Sequence, residues 1–271
     1  MSVKEVVKKI SGSKKYRPLY EKTIERVVKD CLKRYPAKEA EKKARNLLHQ
    51  IWASYFQSRP DFKKLLGKFK TGTENGGDPV SAVFAFVLRL QSSTRERIPI
   101  LDEFYQKIFA LTGQPKSIVD WACGLNPLSW PWMNLPKNCR YLGLDIDKEQ
   151  NDFLNSFFKI FGKNNFRAKL ADIFIDQTPQ ADVVFLLKLL PLLEQQQKGS
   201  SLAILKKQKA QWLVVYFQTK SLGGKHKNMV DFYTKQFQHL IRKGNWKVIK
   251  ILFSTELVFI INKHGNSATG R

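Results

Sequence analysis

Acidic residues are scarce in this chain: 23 Asp and Glu stand against 47 Lys and Arg among 271 residues, a formal net charge of +24. That balance excludes an acidic, solvating protein and points to a polyanionic partner. Cysteine is scarcer still. Cys31, Cys123 and Cys139 form an odd set with no CxxC spacing, so neither a disulfide framework nor a zinc cluster fits, and no metal is expected. A reducing cytosol is the expected compartment. Long apolar runs are missing too. The best candidate, Val183 to Leu193, is interrupted by Lys188 and Pro191 and falls short of the ~18 residues that span a bilayer. The opening MSVKEVVKKI holds no uninterrupted apolar stretch, so no secretory leader is expected. What is present is a hydrophobic content of 43%, enough for a core and too much for wholesale disorder.

The charge is uneven. Residues 1–70 carry a net +13, residues 71–205 carry none, and residues 206–250 carry +10. A neutral middle between two basic flanks suggests a core doing one task and two surfaces facing a polyanion. Nucleic acid is the expected one. An acidic membrane fits less well, because Trp and Phe are scattered instead of gathered on one face of a basic helix.

Two patterns follow each other along the chain. Val3, Val6, Val7 and Ile10 recur at helical spacing, as do Ile24, Val27, Val28 and Leu32. Ser11 to Pro18, SGSKKYRP, reads as a basic turn between them. Further helices are expected over Ala37 to Tyr55, Val80 to Gln91 and Leu101 to Leu111, with Thr71 to Pro79 as a linker. After Gly113 the reading changes to strands at 117–121, 140–145, 166–171, 181–187, 211–217, 246–253 and 256–261. Helical stretches at 148–161, 192–209 and 227–242 separate most of the first five. Alternation of this kind gives a parallel sheet with crossover helices. The last two strands, joined by Ser254-Thr255, give an antiparallel hairpin. The expected class is therefore α/β: a Rossmann-like S-adenosylmethionine-dependent methyltransferase domain over residues 113–271, preceded by an all-helical domain over 1–112.

In open α/β sheets, ligands bind beyond the carboxyl ends of the strands. There the first strand runs into VDWACGLNP (Val119 to Pro127), with Ala122 and Gly124 small enough for a close backbone approach. It is not GxGxxG, so a dinucleotide pyrophosphate lacks its cradle. Asp145 ends the second strand, where a carboxylate suits a ribose. Asp172 follows the third and can accept from an adenine amino group. Lys188 follows the fourth. Each alone has a plainer explanation, as a cap or a snorkelling lysine. Four polar tips on four consecutive strands together favour a nucleoside, and Asp120, Asp145 and Asp172 favour a cationic one. S-adenosylmethionine fits that better than NAD.

The chain at this point resembles the aminoglycoside-resistance 16S rRNA (guanine N7) methyltransferases of the Arm/Rmt type. The resemblance rests on SKKY (Ser13 to Tyr16), LHQIW (Leu48 to Trp52), SSTRER (Ser92 to Arg97), CGLNPL (Cys123 to Leu128), VVFLLKLLPLLEQQQ (Val183 to Gln197), TKSLGGK (Thr219 to Lys225) and TELVFI (Thr255 to Ile260). It implies S-adenosylmethionine as cofactor, the 30S subunit as partner, and methyl transfer to a guanine of the decoding A site. It also implies roles. Arg97 clamps the methionine carboxylate; the plainer alternative is an ion pair with Glu96 or Asp102. Asp120, Ala122 and Gly124 line the methionine end. Asp145 and Ile146 hold the ribose, and Asp172 and Ile173 the adenine. Lys188 and Leu189 flank the reacting centre, TKSLGGK and Met229 cover the target base, and Glu256 orients that loop. Lys14, Lys15, Arg17, Lys220 and Lys225 are the expected rRNA contacts. The chain departs from the family at Gln91, at Gln218 after Tyr216-Phe217, at Val230 and Phe232, and at Gln238, all on the target side.

N7 of guanine carries a lone pair and no proton, so no general base is expected, and His49, His226, His239 and His264 are read as packing or surface residues. Trp130, Trp132 and Phe217 are candidates to stack on an unstacked base, with core packing as the alternative for the tryptophans. A monomer with no membrane contact is expected. Two other readings remain open at this stage: methylation of a different rRNA position, such as an adenine N1, and a non-catalytic rRNA-binding protein with a vestigial pocket.

Overall fold

The computed structural model describes residues 2–52, 55–56, 58–74, 80–219, 226–242, 244–254 and 256–266. Helices α1 (Val3–Ser11), α2 (Glu21–Leu32) and α3 (Ala37–Ile51) come first. The α1 start is fixed by a capping box: the Ser2 hydroxyl accepts from the Glu5 amide while Glu5 accepts from the Ser2 amide. The buried face Val6, Val7, Ile10, Ile24, Val27, Val28, Ala40, Ala44 and Leu48 forms one apolar cluster, as the helical spacing requires.

Helices α4 (Phe62–Glu74), α5 (Val80–Leu88), α6 (Ser92–Arg95) and α7 (Leu101–Thr112) follow. Then come β1 (Ser117–Trp121), α8 (Trp130–Met133), β2 (Arg140–Asp145), α9 (Lys148–Ile160), β3 (Phe166–Leu170) and β4 (Gln180–Leu187). The chain continues through α10 (Leu190–Gln196), α11 (Ser200–Lys207), β5 (Lys209–Gln218), α12 (His226–Ile241), β6 (Trp246–Leu252) and β7 (Glu256–Asn266). The sheet order is β3-β2-β1-β4-β5-β7-β6, with β1 to β5 parallel and β7 antiparallel to both neighbours. All seven expected strands are present.

Three differences have local causes. Part of the expected linker, Thr71 to Glu74, completes α4. The single helix expected over 192–209 is two, because Gly199 turns left-handed (φ 82°) and the Glu194 carboxylate accepts the Gly199 and Ser201 amides. The expected helix to Tyr55 stops at Ile51, where Trp52 leaves helical geometry.

Successive strand residues feed opposite cores. Ile118, Val183, Phe185, Val214 and Ile260 pack with the helices of residues 62–112 and with α9. Val119, Val184, Leu213, Val215 and Ile261 pack under α10 to α12. Helix gives way to alternation between Thr112 and Ser117, where the sequence places the domain boundary, yet the packing divides earlier: residues 62–112 share the sheet's core, and the cluster with its own interior is α1 to α3. Among the described residues no helix is long and apolar enough to cross a membrane.

That helical unit is tied to the tip of β2. The Tyr20 amide donates to the Ile146 carbonyl at 2.8 Å, and the Lys148 amide to the Pro18 carbonyl at 2.8 Å. Asp147 is buried at the same point. It accepts from Trp52 Nε1 (2.8 Å) and from both Arg59 Nη atoms (2.7 and 2.8 Å) while capping α9 through the Gln150 amide.

Candidate functional site

A cavity open to solvent lies at the carboxyl ends of β1, β2 and β4. The strand order reverses there between β1 and β4, the position where doubly wound sheets bind ligands. The sheet side supplies Ala122, Asp145, Ile146, Asp172, Ile173, Lys188 and Leu189; Thr23, Arg26, Trp52 and Tyr55 come from the N-terminal segment. Seven of the expected cofactor residues thus share one cavity.

The strand tips are shaped by unusual backbone. Ala122 and Lys188 are non-glycine residues with positive φ, 52° and 56°, a conformation that concentrates at functional sites. Gly124 has φ 51°, and a Cβ there would meet Gln91 Oε1 at 2.3 Å. Gln91 is buried because its Oε1 accepts the Leu125 amide at 2.7 Å, holding the turn after β1. Asp145 is oriented by two amides, Gly124 on Oδ2 (2.9 Å) and Asp147 on Oδ1 (3.1 Å). Burial pushes its carboxyl up to about 6 against the pull of the Gly124 amide. The Lys188 ammonium pairs with Glu96; burial pushes it down and Glu96 opposes. Asp172 is buried, with Oδ1 on the Phe174 amide (2.9 Å) and Oδ2 on Arg26 Nε (2.9 Å).

Arg97, Asp120 and Gly124 are not among the cavity-lining residues. Arg97 and Asp120 lie behind its wall in a buried network centred on Asn126. Asn126 Oδ1 accepts from Arg97 Nη1 and from the Tyr105 hydroxyl (2.8 Å), and its Nδ2 donates to Asp120 Oδ2 at 2.8 Å. Tyr141 donates to the same Asp120 oxygen at 2.7 Å. Burial pushes the Asp120 carboxyl up to about 6, with Tyr141 and Asn126 opposing. Arg97 is 2% exposed and pairs with fully buried Glu256 at 3.4 Å, between the rings of Phe104 and Tyr216. The partner is neither Glu96 nor Asp102: Glu96 is taken by Lys188, and Asp102 begins α7. Glu256, expected to orient the target-side loop, holds this arginine.

On the target side, Lys14, Lys15 and Arg17 are exposed in the turn between α1 and α2. Met229 is half-buried on α12, outside the cavity lining. Lys220 and Lys225 lie outside the described residues. Trp130 is core, edge-on to Phe84 at 4.5 Å. Phe217 is likewise buried, stacked on Tyr233 at 4.8 Å, so neither has a face free for a base. His49, His239 and His264 are exposed. Among the described residues no group of three His, Cys, Asp or Glu could hold a metal. Arg26, Tyr55 and Asn126 carry no sequence signal of this role except Asn126, which stands inside CGLNPL.

The ribosomal RNA methyltransferase (FmrO) family model matches residues 12–260. A 16S rRNA (guanine(1405)-N(7))-methyltransferase of Micromonospora rosea is 34% identical over 94% of each chain. The enzyme of the same name from Frankia casuarinae is 32% identical over 97% of this chain and 94% of its own. Among solved structures, the 16S rRNA methyltransferase RmtF in complex with S-adenosyl-L-homocysteine superposes with a TM-score of 0.81 at 30% identity, covering 97% of this chain and 99% of its own. The 16S rRNA methylase RmtB gives 0.78 at 27% identity, covering 97% and 99%. With the strand-end cavity, the helical unit and the match over most of its length in agreement, this chain belongs to the ribosomal RNA methyltransferase (FmrO) family.

Proposed function

We propose that the protein transfers a methyl group from S-adenosylmethionine to N7 of a guanine in 16S rRNA, acting as a cytoplasmic monomer on the 30S subunit and so conferring aminoglycoside resistance. The observation that carries the reading is the strand-end cavity with carboxylates at two tips, Asp145 and Asp172, in a chain of net charge +24. A basic protein that sets acids around a strand-end crevice suits a cationic nucleoside there and a polyanion outside.

The residues present fit the cofactor. Asp145 keeps acceptor capacity beyond its two amide bonds, as a ribose requires. Asp172, Ile173 and Phe174 offer an acceptor beside an apolar wall for the adenine. Asp120 Oδ1 is buried behind the cavity wall with no hydrogen-bond partner among the described residues, and its charge acts on the ligand's positive end through that wall. The space a Cβ at Gly124 would take is filled by the Gln91 side chain, which packs the turn from within and itself lines the cavity. Arg97 supports the site through Asn126 and Asp120 in place of the direct carboxylate clamp expected of it.

The bound cofactor supplies an electrophilic methyl group. The chain's own residues then need to hold, orient and exclude water. Lys188 and Leu189, at the left-handed end of β4, form the edge of the cavity nearest the strand-reversal point. Because guanine N7 bears no proton, positioning and electrostatics carry the rate. The exposed histidines agree with that. Lys14, Lys15 and Arg17 serve the phosphate backbone, which fixes register without reading bases. Incubation of 30S subunits with the protein and S-adenosylmethionine, followed by primer extension and mass mapping, is expected to yield one N7-methylguanine. A methyl group mapped to an adenine, or none, overturns the assignment.

A further inference from the structure

One arginine of the helical unit reaches the nucleobase end of the cavity. Arg26 on α2 donates from Nε to Asp172 Oδ2 at 2.9 Å and from Nη2 to Gln196 Oε1 at 2.8 Å. Its guanidinium lies 4.4 Å from the centre of the Phe174 ring. Asp172 follows β3, Phe174 is two residues on, and Gln196 ends α10, so two separate parts of the sheet domain converge on one side chain from another core. Asp172 is 3% exposed and Arg26 14% exposed, which shields the pair from the solvent screening that weakens surface ion pairs. The planar fork explains the residue type: it bonds two acceptors in fixed directions while its face rests on an aromatic ring.

We infer that Arg26 is a positioning residue for base recognition: it fixes the Asp172 carboxylate in the orientation that accepts an amino group and rejects a carbonyl at the same ring position. The inference rests on the proposed cofactor reading. The Phe174 amide holds Oδ1 and Arg26 holds Oδ2, so the carboxylate has no torsional freedom to turn its charge away from an unsuitable base. A hypoxanthine ring, with a carbonyl in place of the adenine amino group, then meets a fixed anion. A site built around a fixed polar partner discriminates far more than one that is merely apolar.

The test is calorimetric binding of S-adenosylhomocysteine and S-inosylhomocysteine to the full chain, wild type, Arg26→Ala and Arg26→Lys, with circular dichroism to establish folding. Wild type is expected to prefer the adenosyl ligand strongly. In Arg26→Ala the preference is expected to contract at least tenfold, through loss of affinity for the adenosyl ligand and relaxed rejection of the inosyl one. Arg26→Lys retains the charge and stem but cannot bridge Asp172 and Gln196 together, and its ratio is expected between the two. A purely structural role weakens both ligands equally and leaves the ratio unchanged. An unchanged ratio in the folded variants, or in Arg26→Lys alone if Arg26→Ala does not fold, overturns the inference. Failure of the wild type to bind the adenosyl ligand overturns the cofactor reading instead.

Discussion

Replacing Glu256 with Gln tests how much of the fold depends on the buried arginine. Glu256 is 0% exposed and Arg97 2%, with 3.4 Å between Oε2 and Nε. At that separation two unit charges attract by about 5 kcal/mol with an effective dielectric of 20. Without the carboxylate, Arg97 keeps Asn126 Oδ1 and the faces of Phe104 and Tyr216, 4.8 and 5.0 Å from its guanidinium. Those contacts are common to both proteins and cancel, so the expected loss is that for breaking a buried pair, about 3–5 kcal/mol. For a chain of this size that lowers Tm by on the order of 10 °C. Arg97→Met combined with Glu256→Leu removes both charges and is expected to recover most of the loss, since apolar replacement of a buried pair is often close to neutral. Urea unfolding of Glu256→Gln, of Arg97→Met and Glu256→Leu singly, and of their double, read by circular dichroism, gives the cycle. A Glu256→Gln variant within about 0.5 kcal/mol of wild type, or a double variant no better than the single ones, refutes the reasoning.

Two buried carboxylates, Asp145 in the cavity and Asp120 behind its wall, set a pH dependence. Burial holds Asp120 and Asp145 up to about 6, so both lose charge as pH falls through that value. Affinity for S-adenosylmethionine is expected to fall between pH 7 and 5, and calorimetry in Asp145→Asn should give a flatter profile. In the ligand-free protein the same shifts act oppositely on folding: the folded state binds these protons more tightly, and their contribution to stability falls as pH rises from about 4 to about 6. Asp145→Ala is expected to weaken cofactor binding by about 1.5–3 kcal/mol, the range for a charged acceptor. Gly124→Ala places a Cβ 2.3 Å from Gln91 Oε1 at φ 51°, and its cofactor affinity should drop at least tenfold in the same titration. Lys14, Lys15 and Arg17 changed together to Glu are expected to lower 30S affinity and flatten its salt dependence, each lost phosphate contact removing about 0.7–0.9 from the slope. Filter binding at two salt concentrations reads this, and unchanged binding removes the docking role.

The strands, their parallel run and terminal hairpin, and the acidic tips were legible because each has a local mark: alternation of strand and helix, and an Asp or small residue where a strand ends. The networks behind them were not. Arg26 meets Asp172 across 146 residues, and Arg97 meets Glu256 across 159. Nothing in its neighbourhood distinguishes Arg26 from the many exposed basic residues around it. Arg97 is marked by SSTRER, but its ion-pair partner is not. Its own segment offered Glu96 and Asp102 as partners, while the fold gave Glu96 to Lys188 and brought Glu256 in from the last hairpin. The expected division at residue 112 follows the change in pattern, while core formation depends on which faces meet, and α4, α5 and α7 share a core with the sheet.

The backbone bonds between Pro18–Tyr20 and Ile146–Lys148 have a thermodynamic corollary. One residue before the first lies Arg17, at the end of the exposed basic turn; one residue before the second lies Asp145, at the cavity. The turn proposed to meet rRNA and the carboxylate proposed to meet the cofactor are thereby spliced through main-chain bonds that, proline at Tyr20 or Lys148 aside, no substitution removes. Under that proposal a small molecule that stiffens the Asp145 tip is expected to stiffen the turn, and a polyanion on the turn to stiffen the tip. Reciprocity of linked equilibria makes the two effects one quantity: by whatever factor the first occupant sharpens affinity for the second, the second sharpens affinity for the first.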